Sequence, residues 1–553
     1  MPLKSFINAR QTVVTDAIDG FLMSSGARNL ARLDAFPDIK VVLRSDWDKS
    51  RVALVSGGGS GHEPAHAGFV GEGLLTAAVC GELFASPSVD AVLSAIVAVT
   101  GAPGCLLIVK NYTGDRLNFG LAAEKARAMG LAVEMVVVGD DIALPDAPRP
   151  RGIAGTLFVH KLAGAAAASG LPLAEVAARA RSAAGNIRSL GLSLTNCSMP
   201  GTEPNERIAE DKVELGLGIH GEPGSRTIPF AMADVLVAEV ADAILAALPA
   251  DGRIALMVNA LGAVPPLEMA IVMQAVARSA LAARIDYVVG PGPLMTALDM
   301  HGLSLSALVL DETRLEGLLA PSASAGWLAA RPFARPVVVP APALGGAHTA
   351  IPSDDPLARR AITLGTDLFR EIAAEIDALD AKVGDGDTGA TFAGAAATVR
   401  DKLDALPLAD GARLLGAIGD LLARAAGGSS GVLLATFFTA AGSELAAHGN
   451  WPRAWVAGLQ RMKDYGGADV GDRTMIDALQ PALAVLESGG SLQEAARAAR
   501  AGANSTATLG KAMAGRSAYV PTEALLGVTD PGAEAIARLF ERLARDIGTP
   551  AVA

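Results

Sequence analysis

The sequence predicts an α/β module followed by an all-α module, joined by a proline-rich linker. Short apolar stretches alternate with helical patterns in the first part of the chain, which is typical of a parallel sheet covered by helices. Six prolines crowd into residues 331–356, where this periodicity disappears. Beyond them nearly every segment carries alanine and leucine at helical spacing. Since 553 residues exceed what one core can hold, we expect domains over 1–331 and 357–553, with a linker over 332–356.

Composition excludes several classes of protein. Apolar residues make up 51% of the chain, as in globular proteins, and the long uncharged stretches are interrupted by glycine or proline, so we expect no membrane span. The formal net charge of −12 argues against a nucleic-acid-binding surface. The three cysteines form no metal pattern and the N-terminus shows no secretory signal, so we expect a cytoplasmic protein with reduced thiols.

The first module alternates helices and strands in a regular order. The pattern predicts a helix over 8–23, strands over 51–55, 105–109 and 132–138, and helices over 88–99 and 116–129. Parallel strands of such a sheet end at one edge, where open α/β folds bind ligands. We therefore expect Gly59–His62 and Lys110–Asp115, which follow two of these strands, to be neighbours in space.

A glycine run follows the first of these strands, in the segment Ser56–Pro64. Glycine lets the backbone approach a ligand closely, but the segment is not a Walker loop, because no Gly-Lys-Ser/Thr follows. It is not a dinucleotide fingerprint either, because His62 stands at the third glycine position. Residues 62–66 also match the zinc-peptidase pattern His-Glu-x-x-His. Pro64 would disrupt the continuous helix that such a site requires, so a zinc peptidase is kept as a remote alternative.

His220 is the histidine that the pattern favours for chemistry. Residues 213–224 predict a glycine-rich strand that delivers it into a turn, where small neighbours would leave its ring open to a ligand. A neutral imidazole can act as a nucleophile toward a carbonyl. The histidines interpreted as ordinary core or surface residues are His66, His160, His301, His348 and His448.

Three carboxylates stand close together among glycines in the second module. Asp380 is predicted to close an amphipathic helix, and Asp385 and Asp387 can point the same way from the turn that follows. An all-oxygen set favours Mg²⁺, Ca²⁺ or Mn²⁺, but the EF-hand pattern fails at Gly389 and Ala390. The small number of oxygens suits Mg²⁺ completed by phosphate and water, and a solvated acidic turn is the alternative.

Three more polar segments interrupt the helices of the second module. They are residues 427–431, residues 466–475, and residues 514–517 with 530–532. Glycine and serine at a helix start offer free amides and a positive dipole to an anion. With the three carboxylates, these segments indicate a nucleotide held by metal and backbone amides.

Six segments together resemble the single-chain ATP-dependent dihydroxyacetone (glycerone) kinases. They are Gly57–Pro64, Lys110–Asp115, Gly218–Gly224, Leu379–Gly389, Gly471–Met475 and Gly515–Ser517. The resemblance covers both modules in the family's order. It implies that the first module is a ketose-binding K-type domain with two α/β subdomains, and that the second is an ATP-binding L-type domain, a helical barrel.

The resemblance also implies roles for matching residues. His220 would add to the ketone through a ring nitrogen and form a covalent hemiaminal. Asp115 and His62 would be the acid/base candidates for the hydroxyl that is phosphorylated. The positions implied to surround the ketose are Gly59, Ser60, Gly61, His62, Lys110 and Asp115. Asp380, Asp385 and Asp387 would hold Mg²⁺, as a pair of ions. The positions implied to bind nucleotide are Asp387, Thr388, Gly389, Ala390, Ser429, Ser430, Gly466, Thr474, Met475, Arg516, Asp530, Pro531 and Gly532.

The activity that the resemblance implies is phosphorylation of dihydroxyacetone by ATP. A kinase of another short sugar, such as glyceraldehyde or erythrulose, is the alternative within the family, and one animal branch also cyclises FAD. A ketose sensor without ATP turnover is the non-catalytic alternative. Thr388 stands where phosphotransferase-system relatives commonly carry histidine. The threonine at this position and the covalent linker both favour exchangeable ATP over a resident ADP. The resemblance also implies a homodimer.

Overall fold

The chain forms two compact units in the computed structural model. They comprise Met1–Val338 and Val339–Ala553. The described residues are 5–25, 29–33, 35–144, 149–200, 202, 207–342, 351–425, 429–513 and 520–547, with the backbone alone described at 425, 429 and 430. The first unit is α/β and the second is helical throughout its described residues, which confirms the predicted fold class.

A six-stranded sheet forms the first half of the α/β unit. Its strands are β1 (Leu30–Arg32), β2 (Val41–Arg44), β3 (Ala53–Ser60), β4 (Ala77–Leu83), β5 (Cys105–Lys110) and β6 (Val133–Val138). In the order β1-β2-β4-β3-β5-β6, the last four are parallel and the first two are antiparallel additions at one edge. The helices of this half are α1 (Val13–Ser24), α2 (Val89–Val99), α3 (Thr113–Ala128), α4 (Thr156–Ala168) and α5 (Leu173–Gly185), with a short 3₁₀ turn at Ala67–Phe69. The predicted parallel sheet is therefore present, with an antiparallel edge.

A seven-stranded sheet forms the other half. Its strands are β7 (Ile187–Ser193), β8 (Lys212–Leu215), β9 (Arg226–Pro229), β10 (Ile254–Ala260), β11 (Ile285–Gly292), β12 (Gly302–Val309) and β13 (Arg331–Pro332). The order is β13-β11-β10-β12-β7-β8-β9, with β10 and β11 parallel and the other neighbours antiparallel. Helices α6 (Ala233–Ala247), α7 (Pro266–Arg278) and α8 (Glu312–Leu319) and a 3₁₀ turn at Ala280–Arg284 complete this half.

The glycine run lies inside β3, which corrects the strand predicted over 51–55 and the loop expected after it. A Cβ atom at Gly57 would lie 2.2 Å from the carbonyl oxygen of Val79, and one at Gly59 would lie 2.7 Å from the amide nitrogen of Ala85. Neighbouring backbone occupies the space that side chains would need. These two glycines therefore serve close packing inside the protein, and the strand continues through them.

The second unit is built from helices. They are α9 (Pro356–Glu371), α10 (Ala373–Asp380), α11 (Thr388–Asp401), α12 (Gly411–Ala425), α13 (Ser429–His448), α14 (Trp451–Gly466), α15 (Ile476–Glu487), α16 (Leu492–Ser505), α17 (Thr522–Leu525) and α18 (Pro531–Asp546), with 3₁₀ turns at Leu403–Ala405 and Thr506–Thr508. The amphipathic helix expected to run to Asp380 is divided at Ile372. Of its apolar stripe, Leu368, Ile372 and Ile376 are buried and Leu379 is half-buried. Within the described residues, no helix has both the length and the apolar character needed to cross a bilayer.

Candidate active site

His220 lies in the turn that follows β8, packed among three other rings. Its ring centroid is 4.8 Å from that of His62, 5.3 Å from that of Phe84 and 4.5 Å from that of Tyr112, each in an edge-on arrangement. Its side chain keeps 17% exposure. The expectation of an open ring among small neighbours was wrong, because glycines adjacent in sequence do not decide which side chains approach from other elements. The ring is instead held firmly, with a limited opening to solvent.

Hydrogen bonds hold both nitrogens of the His220 ring. Glu222 Oε1 lies 3.2 Å from His220 Nδ1, and His62 Nε2 lies 3.1 Å from His220 Nε2. His62 Nδ1 donates to the Thr296 carbonyl at 2.8 Å, so a neutral His62 presents its lone pair at Nε2. The proton between the two rings therefore sits on His220 Nε2, facing a ready acceptor.

The charge states around this pair follow from burial. Desolvation, followed by the charges of Lys110 and His220, holds the pKa of His62 well below its usual value. Burial alone would raise the pKa of Glu222, but the hydrogen bond to His220 and attraction to its ring bring that pKa down to about 2. The site therefore contains a neutral His62 and an ionised Glu222 near pH 7. Sequence analysis did not identify Glu222, although its spacing of two residues from His220 was visible.

Lys110 and Asp115 converge beside β3. Lys110 ends β5 with its side chain fully buried, and Asp115 lies in the first turn of α3, where its Oδ1 accepts a hydrogen bond of 2.6 Å from Ser86. A Cβ atom at Gly58 would lie 3.4 Å from Lys110 Nζ and 3.6 Å from Asp115 Oδ2. Burial lowers the pKa of Lys110, and the charge of Asp115 opposes that shift. The charge of Lys110 also lowers the pKa of His62, so the predicted proximity of Gly59–His62 to Lys110–Asp115 is confirmed.

The three residues before His62 are buried, and two of them have polar groups engaged within the protein. Gly59, Ser60 and Gly61 are buried, and Ser60 Oγ donates to the carbonyl of Gly81 at 2.8 Å. The Gly61 amide donates to the carboxylate of Glu63. These residues shape the wall beside His62, and their contact with a ketose stays a prediction.

The zinc-peptidase alternative fails on geometry. Residues 62–66 form a turn and not a helix, so the two histidines do not share a helix face. His62 also uses Nδ1 to bind the Thr296 carbonyl. In the described residues, the group of metal-binding side chains that comes together lies elsewhere, at Asp380, Asp385 and Asp387.

The three carboxylates converge in the helical unit. Asp380 ends α10, and Asp385 and Asp387 lie in the loop before α11. One oxygen from each lies within 4.8 Å of the others, with Asp380 buried and the other two exposed. This set offers oxygen ligands alone and an open side, and so fits Mg²⁺ completed by phosphate and water.

Asp380 also shapes the loop that carries the other two carboxylates. Its Oδ2 accepts hydrogen bonds from the amides of Gly386, Asp387 and Thr388 and from the Thr388 hydroxyl, at distances of 2.9 to 3.1 Å. A Cβ atom at Gly384 would lie 2.4 Å from Asp380 Oδ1, so glycine is needed there. One oxygen of Asp380 thus organises the loop, which sequence analysis missed, while Oδ1 remains available to a cation.

Gly389 and Ala390 open α11 against α10. A Cβ atom at Gly389 would lie 2.0 Å from the carbonyl oxygen of Ala373, and the Ala390 amide donates to Asp377 Oδ1 at 3.0 Å. Gly389 therefore serves close packing and the Ala390 amide is bound by Asp377, while the nucleotide contact of both residues stays a prediction.

A second nucleotide segment lies near the carboxylates. Asp530 caps α18. Gly532 packs against Met475, because a Cβ atom added at Gly532 would lie 3.3 Å from Met475 Cβ. The charge of Asp380 contributes to the raised pKa of Asp530, after burial, so the two segments are close in space. The other predicted positions of this group lie in the same unit: Thr474 binds Asp477 through its amide, Gly466 ends α14, and Pro531 begins α18. The side chains of Ser429 and Ser430, and the whole of residues 426–428 and Arg516, lie outside what the structure describes.

Arg473 is a structural residue that sequence analysis did not single out. Its side chain is buried, with Nη1 donating to the carbonyls of Thr506 at 2.6 Å and Leu525 at 3.1 Å, and Nη2 donating to that of Val528 at 2.9 Å. It thereby ties the segment after α16 to the segment before α18. Its partners are backbone carbonyls, which leave no mark in sequence.

Comparison with known proteins agrees with both halves of this arrangement. A Dak1 domain model matches residues 25–326 and a DAK2 domain model matches residues 382–545. A dihydroxyacetone kinase of Citrobacter freundii is 51% identical, over 98% of each chain, and the human triokinase/FMN cyclase is 41% identical, over 98% of this chain and 99% of the relative. The crystal structure of the C. freundii dihydroxyacetone kinase superposes with a TM-score of 0.87, at 50% identity, covering 99% of this chain and 100% of that one. Its complex with AMP-PNP and Mg²⁺ gives a TM-score of 0.86, at 50% identity, covering 98% and 99%.

The fold and the two clusters of polar residues define a protein that joins a Dak1 domain to a DAK2 domain in one chain. The chain belongs to the dihydroxyacetone kinase family.

Proposed function

We propose that this chain phosphorylates dihydroxyacetone with ATP and Mg²⁺, giving dihydroxyacetone phosphate. The chain belongs to a family of ATP-dependent kinases, and relatives at 51% and 41% identity are named for kinase activity on trioses. A relative bound to AMP-PNP and Mg²⁺ supports the same nucleotide and metal here. In this proposal residues 1–331 bind the ketose, 332–356 link the domains and 357–553 bind the nucleotide.

The His220 environment carries the proposal for ketose capture. His62 Nε2, 3.1 Å away, first takes the proton from His220 Nε2, which frees the Nε2 lone pair. Attack by this lone pair on the ketone carbon forms a C–N bond and moves the carbonyl π pair onto oxygen, and the proton then passes from His62 to that oxygen, which gives the hydroxyl of the hemiaminal. Glu222 holds Nδ1 and stabilises charge on the ring during attack.

Asp115 and Lys110 are proposed to handle the hydroxyl groups. The Lys110 ammonium donates to a ketose oxygen, and Asp115 accepts the proton of the hydroxyl that attacks the γ-phosphorus. When bound to Asp380, Asp385 and Asp387, Mg²⁺ supplies charge neutralisation to the phosphates. Phosphoryl transfer asks the protein mainly for positioning and charge, and these residues would contribute both.

A coupled assay of ADP release tests the function. Dihydroxyacetone, glyceraldehyde and erythrulose are compared with glycerol, which has no carbonyl and cannot be captured. We expect dihydroxyacetone to give the highest kcat/KM, and glycerol to give little turnover. Higher kcat/KM with glyceraldehyde or erythrulose would reassign the substrate, and ketose binding without ADP release would favour a sensor. Incubation of the chain with FAD in a separate reaction, with release of AMP as the readout, tests the cyclase activity named for the human relative.

His220→Ala tests the capture step. We expect the covalent adduct to be lost, which ¹³C NMR of ketone-labelled dihydroxyacetone would detect. We also expect kcat/KM to fall by about 10³-fold or more, as for loss of a nucleophile. His301→Ala is the matched control, since His301 pairs with Glu268 away from this site. An adduct that persists in His220→Ala would remove His220 from the mechanism.

The proposed homodimer rests on the family resemblance. Light scattering of the purified chain measures its mass directly, and a monomer at assay concentration would contradict it.

A further inference from the structure

A group of buried polar side chains next to Lys110 has no part in the proposed reaction. It consists of His66, Thr156 and His160, and together with Lys110 it is called the histidine cluster. These four residues are at most 4% exposed. The rings of His66 and His160 lie 5.2 Å apart, and Thr156 precedes His160 by one turn of α4. After burial, the charge of Lys110 is the next cause that lowers the pKa of both histidines, which places it close to them.

Ser56 determines the tautomer of His160. Its hydroxyl donates to the Ile108 carbonyl at 2.7 Å, so its oxygen accepts from His160 Nε2, 3.2 Å away. Burial lowers the pKa of His160 to about 3, so the ring is neutral and its single proton is on Nε2. His160 Nδ1 therefore carries a lone pair that needs a donor.

Five polar atoms of the histidine cluster find no hydrogen-bond partner among the described residues. They are both ring nitrogens of His66, Nδ1 of His160, Oγ1 of Thr156 and Nζ of Lys110. Buried polar atoms in native proteins are almost always hydrogen-bonded, either to protein or to internal water. Such a concentration of unpaired atoms around one ammonium group indicates a bound ligand.

The chemistry of these atoms selects the ligand. His160 Nδ1 needs a hydrogen-bond donor, whereas the Lys110 ammonium needs acceptors. A metal cation would be repelled by the ammonium, and a simple anion cannot donate to His160. Water both donates and accepts, and can also satisfy His66 and Thr156.

We propose that the histidine cluster holds buried water that links Lys110 Nζ to His160 Nδ1 and so positions the Lys110 ammonium for the ketose. His160 acts through Lys110 and is a positioning residue. The water site stands on the buried atoms alone, whereas its effect on catalysis rests on the proposed function of Lys110.

A high-resolution crystal structure of the full chain tests the site without any assay. We expect a water peak within hydrogen-bond distance of both Lys110 Nζ and His160 Nδ1 in the wild type, and its loss in His160→Leu. Wild-type density that shows no such water overturns the proposal, as does density that refines as a metal or chloride ion.

The pH profile of kcat/KM tests the positioning role. The charged or titratable groups that act on Lys110 or are acted on by it are Asp115, Glu222, Glu63, Asp140, His62, His66 and His160. Loss of the water would remove an acceptor from the ammonium, so His160→Leu should move the alkaline limb to lower pH by roughly one unit. His160→Asn can place an amide oxygen near the Nδ1 position and should restore most of the shift.

Two further outcomes are decisive. The positioning role is overturned if the alkaline limb lies at the same pH in the wild type and in His160→Leu. It is also overturned if His160→Leu and His160→Asn shift that limb by the same amount. A wild-type chain with no kinase activity on any carbonyl substrate contradicts the proposed function, and the crystallographic density still decides the water site.

Discussion

Asp530 is buried at the start of α18 and caps this helix, and burial and the capping hydrogen bond have opposite effects on the pKa of its carboxyl. Its Oδ2 accepts from the Ala533 amide at 2.8 Å, which caps the helix. Burial raises the pKa of its carboxyl to about 7, against the opposing effects of the Ala533 amide and the charge of Arg473. Because this value lies above the unfolded value of 3.8, the native state retains a proton that the unfolded chain loses. Stability is therefore expected to fall as pH rises from 3.8 to about 7.

Asp530→Asn should remove this pH dependence, because asparagine keeps a capping oxygen without a charge. We expect the variant to exceed the wild type in free energy of unfolding by about 4 kcal/mol above pH 7, and to differ little near the acid end of the range. Urea denaturation without nucleotide or Mg²⁺ measures both. Asp355→Asn, at the cap of α9, is the control. A gain of equal size at both pH values would contradict the assignment.

Arg473 shows how one side chain can hold several backbone segments. Its substitution by methionine keeps much of the volume but removes the guanidinium donor from the carbonyls of Thr506, Leu525 and Val528, of which the first two retain a backbone amide donor. We expect Arg473→Met to lower the free energy of unfolding by about 3 kcal/mol or more, measured by urea denaturation. Arg473→Lys should recover little of it, because one ammonium cannot reproduce the guanidinium fork. Full recovery by lysine would show that charge alone matters.

Small residues determine how closely the helices of the second unit approach. A Cβ atom at Gly502 of α16 would lie 1.9 Å from the carbonyl oxygen of Asp477 in α15. Ala478 and Ala499 are fully buried in the same helix pair. Alanine favours helix and has almost no side-chain length, so its abundance in this unit serves both helix formation and close packing.

Two glycine-to-alanine substitutions separate packing from helix propensity. Gly502→Ala should lower the free energy of unfolding by about 1–3 kcal/mol, because the added methyl group meets backbone. Gly394→Ala, on α11 with nothing within 4 Å of its Cβ position, should raise it by about 0.5–1 kcal/mol. Urea denaturation of both variants provides the comparison. Two changes of the same sign would contradict the packing argument.

At the scale of the whole molecule, the chain divides its chemistry between two compact units. His220 and the rings packed around it lie in Met1–Val338, and the three carboxylates lie in Val339–Ala553. Binding of the ketose and binding of the nucleotide are therefore expected to be separable by mutation.

Asp385→Asn tests this division. We expect it to weaken Mg²⁺-ATP binding by about tenfold or more, because one charged ligand is lost, and to leave dihydroxyacetone binding unchanged. Isothermal titration calorimetry measures each ligand separately, with Asp401→Asn, at the exposed end of α11, as the control. Loss of both affinities together would show that the units do not act independently.

Prediction from sequence succeeded where the signal is local. Helical and strand periodicity identified the two fold classes, and parallel strand ends brought Lys110 and Asp115 to Gly58. It failed at the glycine run, since strand β3 continues where close backbone packing requires glycine. It also failed for the surroundings of His220, because Phe84 and Tyr112 approach from elements that are distant in sequence.

The sequence by itself determined the two-module architecture and the segments that carry chemistry, because periodicity, glycine and clustered carboxylates act over a few neighbouring residues. Only the tertiary structure decided how those residues are used. The bond from His62 to the Thr296 carbonyl and the pairing of His62 with His220 join positions far apart in the chain. Such contacts depend on the path of the backbone in space, and that path is set by the packing of the whole core.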